Sequence, residues 1–192
     1  MEYKYIKEKL SNQKEIEDIL IKVLKPVEKF NKEKLDSGIW DDWNEYLHDK
    51  KTYSQIAQEI NNGEKYNLYV YYIEYNNEVI GTVFFINNKN TIENILQKCN
   101  LKGEDIDYQS SIQLTSFHIA KEHRGIGLKW LKEIIFLDLI EMGYINVFVK
   151  SSHYKAFTFY ERLGEKVGEY IGISDNKQYQ RLGNIYKCKL GE

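Results

Sequence analysis

The chain has 192 residues, 42% hydrophobic, 29% charged and 14% aromatic, which supports one core of ordinary size and excludes intrinsic disorder. Its 27 Lys and Arg face 29 Asp and Glu, and a net charge of −2 argues against a nucleic-acid-binding protein, which normally carries a basic excess. No apolar run nears the roughly 20 residues of a bilayer span, the start from Met1 to Tyr5 opens no signal peptide, and Cys99 and Cys188 form no close pair. The expectation is a cytoplasmic chain with two free, buried thiols and no membrane partner.

The first third reads as helical. Ile16, Ile19, Leu20, Val23, Leu24 and Val27 follow the spacing of one helical face, behind Asn12 and Glu15 as a capping box. Pro26 kinks or stops that helix. Residues 38–46 are aromatic and acidic with no clean period, and a second helix is expected over 53–60, ending at Asn61-Asn62-Gly63. Residues 66–75 and 78–86 are rich in Tyr, Val, Ile and Phe, and Asn76-Asn77 between them marks a β-hairpin. Residues 87–111 read as a polar insertion between strands, with a short amphipathic piece at Ile92, Ile95 and Leu96. A strand over 112–119 follows, then a helix over 128–142 stopped by Gly143 and a strand over 144–150. A helix over 153–163 ends at Gly164, and strands near 166–173 and 185–190 close the chain. This order gives an α/β fold with a mixed sheet, in one domain over 1–192.

The segment His118-Ile119-Ala120-Lys121-Glu122-His123-Arg124-Gly125-Ile126-Gly127-Leu128-Lys129 carries the most chemistry. A strand enters a Gly-bearing turn that opens directly into an amphipathic helix. Gly125 and Gly127 let backbone N–H groups approach a ligand, and the helix N-terminus adds about half a positive charge, a setting for phosphate or pyrophosphate. Arg124, one of three arginines among 24 lysines, adds a cation at the lip. The dinucleotide pattern G-x-G-x-x-G fails at Trp130, and no Gly-Lys-Ser/Thr follows for a P-loop.

These residues resemble the pyrophosphate motif Arg/Gln-x-x-Gly-x-Gly/Ala of the GNAT superfamily of acyl-CoA-dependent N-acyltransferases, read here as Arg124-Gly125-Ile126-Gly127-Leu128-Lys129. Lys129 departs from the small sixth residue. Downstream, His153-Tyr154-Lys155-Ala156-Phe157-Thr158-Phe159-Tyr160-Glu161-Arg162-Leu163-Gly164 is similar to the family helix Asn-x-x-Ala-x-x-Phe-Tyr-x-x-x-Gly, with His153 in place of Asn. The resemblance implies a central, mostly antiparallel twisted sheet with helices on both faces. It also implies acetyl-CoA as co-substrate, held by Phe117, Ile119, the turn from Arg124 to Lys129, His153 and Ala156.

It further implies direct attack of a primary amine on the thioester in a ternary complex, with Tyr160 protonating the departing thiolate and a backbone N–H near Ile119 facing the oxyanion. The amine must be neutral, which at pH 7 costs about 4–5 kcal/mol for a pKa of ~10.4. His118 is the one strongly basic candidate on its strand, where Gln113, Thr115 and Ser116 occupy the usual base region. Trp40, Asp41, Asp42, Trp43 and Glu45 form an acidic, aromatic stretch suited to a cationic small-molecule acceptor, with Asp41, Asp42 and Glu45 an alternative base acting through water, or a solvated loop. Four scattered histidines, with no H-E-x-x-H and no paired cysteines, make a metal site unexpected. A non-catalytic acyl-CoA-binding module and a peptide or protein N-acetyltransferase are the competing functions, in a monomer or homodimer.

Overall fold

A computed structural model of the chain describes residues 2–36, 44–101, 106–173 and 180–191. Among the described residues seven strands run in the order β1-β2-β3-β4-β5-β7-β6. The β4–β5 ladder is parallel, while β1–β2, β5–β7 and β6–β7 are antiparallel, so the sheet is mixed. The chain divides into two compact units, one holding residues 2–84 and 116–124, the other 85–115, 125–173 and 180–191.

The first unit opens with β1 (Lys4–Leu10), in a stretch where the sequence pattern suggests helix. Pairing decides its state: β1 lies antiparallel to β2 (Asn67–Tyr75), from Lys4↔Glu74 to Leu10↔Leu68. Its lysines cover aromatic faces, with Lys7 and Lys9 Nζ 5.8 and 5.7 Å from the Tyr69 ring. Charged side chains on such an edge strand also discourage further pairing.

Asn12 caps α1 (Gln13–Val23) through its Oδ1, which accepts the Glu15 N–H at 3.0 Å. The returning bond of the expected box is displaced by one residue, because Glu15 accepts the N–H of Ser11 at 2.7 Å. The helix ends at Leu24 and α2 (Lys25–Asp36) begins at once. Pro26 stands in the first turn of α2, where its missing N–H leaves no ladder bond broken. α3 (Glu45–Asn61) starts eight residues before the sequence pattern suggests, capped by Asn44 Oδ1 accepting the Leu47 N–H at 3.0 Å. β2 returns as β3 (Glu78–Asn87) through Asn76 and Asn77, with φ of 52° and 65°, consecutive left-handed residues of a tight hairpin turn. Tyr53 of α3 stacks on Phe84 of β3 with ring centroids 4.0 Å apart in this unit's core.

In the second unit the 87–111 segment forms α4 (Lys89–Leu96) and is built into the core. Ile95 packs with Phe148, Val167 and Ile185, joined by Leu96, Cys99, Leu101 and Ile106. β4 (Ser111–Ile119) belongs to this unit up to Thr115 and to the first from Ser116, and a helical stretch of the second unit runs from Gly127 to Glu141. That stretch consists of α5 (Gly127–Trp130), a π-helical segment over Leu131–Ile135, and α6 (Phe136–Glu141). It buries Trp130, Leu131, Ile135, Phe136 and Leu139. β5 (Asn146–Ser151), α7 (Phe157–Glu161), β6 (Glu165–Ile173) and β7 (Gln180–Lys189) complete the unit. Cys188 is buried and Cys99 half-buried, both free. Burial pushes their thiols up to about 12 and about 11.

Candidate active site

Side chains alternate along β4, so Ser116 and His118 share one face while Phe117 and Ile119 share the other. Helices α2 and α3 supply the partners of the first face. Ser116 Oγ donates to Asp49 Oδ2 over 2.6 Å. His118 donates a ring N–H to the carbonyl of Pro26, and its ring lies 5.4 Å from that of Phe30. Its Nε2 is buried and has no hydrogen-bond partner among the described residues. Burial, then the neighbouring Arg124 charge, push His118 down to about 4, so the ring is neutral at physiological pH.

Asp49 is buried, and desolvation pushes its carboxyl up to about 6 against the lowering effect of the Ser116 bond. The sequence reading missed it. Its one legible signal was the spacing of Glu45 and Asp49, four residues apart on what proves to be one helix.

β4 ends where the Ala120 N–H donates to the Ile80 carbonyl at 2.7 Å. A 3₁₀ turn over Lys121–His123 follows, then Arg124 in extended backbone (φ −61°, ψ 148°). Gly125 takes φ +106°, which a side chain would strain, and a Cβ placed there would meet nothing within 4 Å. The space over the turn is open. Gly127 is buried at the helix start, where the first N–H groups lack intrahelical partners. Ile126 and Leu128 are half-buried, and Lys129 is exposed with its Nζ 3.7 Å from Glu133. Arg124 is also exposed, its guanidinium carbon 6.0 Å from the Phe30 ring centre.

His153 is exposed beside a 3₁₀ turn over Tyr154–Ala156, its ring 6.1 Å from that of Tyr154, and Ala156 is half-buried. Tyr160 of α7 is 8% exposed, with its ring 5.7 Å from that of Tyr186. Burial raises its hydroxyl pKa, keeping the proton on oxygen. Trp40, Asp41, Asp42 and Trp43 lie outside the described residues. Glu45 begins α3 half-buried, and Lys34 answers its charge at 3.5 Å. The first unit also holds a cavity of about 690 Å³, where Lys22, Lys25 and Lys29 are offset by Glu78 and Glu122. Among the described residues no group of three or more His, Cys, Asp or Glu is placed to hold a metal ion. No described helix is long and apolar enough to cross a membrane.

No family model matches the chain, and no curated protein matches it. Solved structures do. PaiA N-acetyltransferase from Thermoplasma acidophilum, in complex with coenzyme A, aligns over 98% of this chain and 99% of its own at 16% identity, with a TM-score of 0.51. A Desulfovibrio desulfuricans protein assigned to the GNAT family as an acetyltransferase aligns over 98% and 100% at 14% identity, TM-score 0.53. A Salmonella typhimurium protein with its cofactor acetyl-CoA aligns over 98% and 95% at 13% identity, TM-score 0.52. At such identities the likeness speaks for architecture, and by architecture this chain has the GNAT fold.

Proposed function

We propose that the chain is an acetyl-CoA-dependent N-acetyltransferase that acts on a small, cationic primary amine. The observation that carries this reading is the turn from Arg124 to Lys129. An open left-handed glycine and an exposed arginine precede a buried glycine that starts a long helical stretch, all on the GNAT fold. This fits a pyrophosphate. Unpaired N–H groups and the helix N-terminus favour an anion, and the open space over Gly125 leaves room for its oxygens.

Arg124, Gly125, Ile126, Gly127, Leu128 and Lys129 hold the pyrophosphate, with Phe117, Ile119, His153 and Ala156 along the pantetheine. Acetyl-CoA supplies the activated acyl group as a thioester. The Ile119 N–H offers a donor to the charge that develops on the acyl oxygen. Tyr160, held protonated by burial, supplies a proton to the departing sulfur. His118 stays neutral, and its free Nε2 accepts a hydrogen bond from the amine N–H, which orients the nitrogen lone pair.

The experiment is thiol release from acetyl-CoA with a panel of cationic and neutral amines, run beside calorimetric titration with coenzyme A. Amine-dependent release that yields the N-acetyl product supports the proposal. Coenzyme A binding without release for any amine overturns it in favour of a non-catalytic binding module.

A further inference from the structure

Resting on the acetyltransferase reading, we infer that Asp49 is the general base: its carboxylate, held against β4 by Ser116, receives a proton from the acceptor's ammonium group. The geometry comes from two helices laid over one face of one strand. Ser116 and His118 stand two residues apart on that face, about 7 Å along a strand. Asp49 covers the first and the Pro26–Phe30 turn of α2 covers the second. The Ser116 bond occupies Asp49 Oδ2. A buried carboxylate with one oxygen anchored stands on the face that also carries His118, whose Nε2 has no hydrogen-bond partner among the described residues.

The division of labour follows from charge. A neutral imidazole pushed down to about 4 is a good hydrogen-bond acceptor and a poor proton store. Asp49 is an anion above its raised pKa and attracts the ammonium that His118 does not neutralise. An acceptor R–NH₃⁺ loses one proton to Asp49, and the nitrogen lone pair then forms the C–N bond as the C–S bond breaks. Tyr160 gives its proton to sulfur, the second proton leaving nitrogen returns through water to the Tyr160 oxygen, and one proton stays on the amide. The products are the acetamide, free coenzyme A thiol and one proton released from Asp49 to solvent. No other reactant is needed.

Among the described residues the groups acting on Asp49 are few. On its own helix Glu45 raises it and His48 lowers it; from β4 it meets Ser116, with His118 beyond. α2 contributes Lys34, already engaged with Glu45, while α1, which also packs on α3, buries Ile16, Ile19, Leu20 and Val23.

The test is the pH dependence of kcat/KM for a cationic amine in wild type, Asp49→Asn, Asp49→Glu and Ser116→Ala, with coenzyme A affinity and thermal melting beside it. Asp49→Asn keeps an oxygen for the Ser116 hydroxyl, so the fold and coenzyme A affinity persist while kcat/KM falls about 10²–10⁴-fold. Asp49→Glu restores part of the rate. Ser116→Ala removes a bond that lowers the Asp49 pKa, so the acidic limb of the profile moves to higher pH. Wild-type turnover with Asp49→Asn within threefold of it, or an acidic limb unmoved by Ser116→Ala, overturns the assignment of Asp49 alone. Absence of wild-type turnover with every amine overturns the acetyltransferase reading and this inference with it.

Discussion

His118 and Arg124 share one aromatic neighbour: the Phe30 ring of α2 lies 5.4 Å from the imidazole and 6.0 Å from the guanidinium carbon. The end of β4 and the start of the candidate phosphate turn are thus both tied to the same helix. The guanidinium charge helps keep His118 neutral, which links the cation of the turn to the protonation of the strand.

That neutrality makes stability depend on pH. The folded pKa of His118, about 4, lies below the ordinary value of 6.5, so the unfolded chain binds the proton more tightly. The contribution is complete above pH 6.5 and is lost as pH falls towards 4, up to roughly 3 kcal/mol. In urea unfolding, His118→Gln should lose less stability than wild type between pH 7 and 4.

Asp49 runs the other way. Its folded pKa, about 6, lies above the ordinary 3.8, so the folded chain binds that proton more tightly and stability falls as pH rises from 3.8 to 6. Asp49→Asn removes the buried charge and should be more stable than wild type at pH 8 by up to roughly 3 kcal/mol. The advantage should shrink to nothing below pH 4. A variant that is more stable yet inactive is the signature of a site whose chemistry costs the fold energy.

For the turn, Gly125→Asp places a carboxylate in the open space and forces a side chain to φ +106°. The strain should cost about 1–3 kcal/mol of stability. Coenzyme A affinity should fall at least tenfold in calorimetry while far-UV circular dichroism stays unchanged. Wild-type affinity in the folded variant would remove this turn as the pyrophosphate site.

Tyr160→Phe deletes one hydroxyl and little volume from a buried ring. Coenzyme A affinity should be nearly unchanged and kcat should drop about 10²–10⁴-fold. Wild-type kcat with a true acceptor would leave Tyr160 as a packing partner of Tyr186.

The end of the Tyr160 helix offers a purely steric test. A Cβ at Gly164 would lie 2.2 Å from the Lys187 carbonyl oxygen and 2.8 Å from the Cys188 Cα, both backbone of β7. Gly164→Ala should therefore cost about 1–3 kcal/mol, read as a lower denaturant midpoint, because neither backbone can yield cheaply. Gly125, with open space above it, has no such conflict.

What the sequence determined by itself is what a few adjacent residues decide. Asn76-Asn77 specify the hairpin because both tolerate positive φ, and Gly125 specifies the turn for the same reason. The period from Leu128 to Leu139 specifies a helix with one buried face, interrupted only by the π-helical segment. The tertiary structure decided the rest. Lys4–Leu10 is a strand because β2 offers an edge and tyrosine faces for its lysines, with paired residues from Lys4↔Glu74 to Leu10↔Leu68 far apart in sequence. Asp49 carries no local mark of function. It acquires one when α3 lays it on Ser116, 67 residues along the chain, and burial withdraws the water that would otherwise hold its charge. His118 was visible as a residue type, but its neutral state follows from burial and then from the Arg124 charge that packing brings to it. Backbone preference is a property of neighbours in sequence, whereas desolvation and hydrogen-bond pairing are properties of neighbours in space.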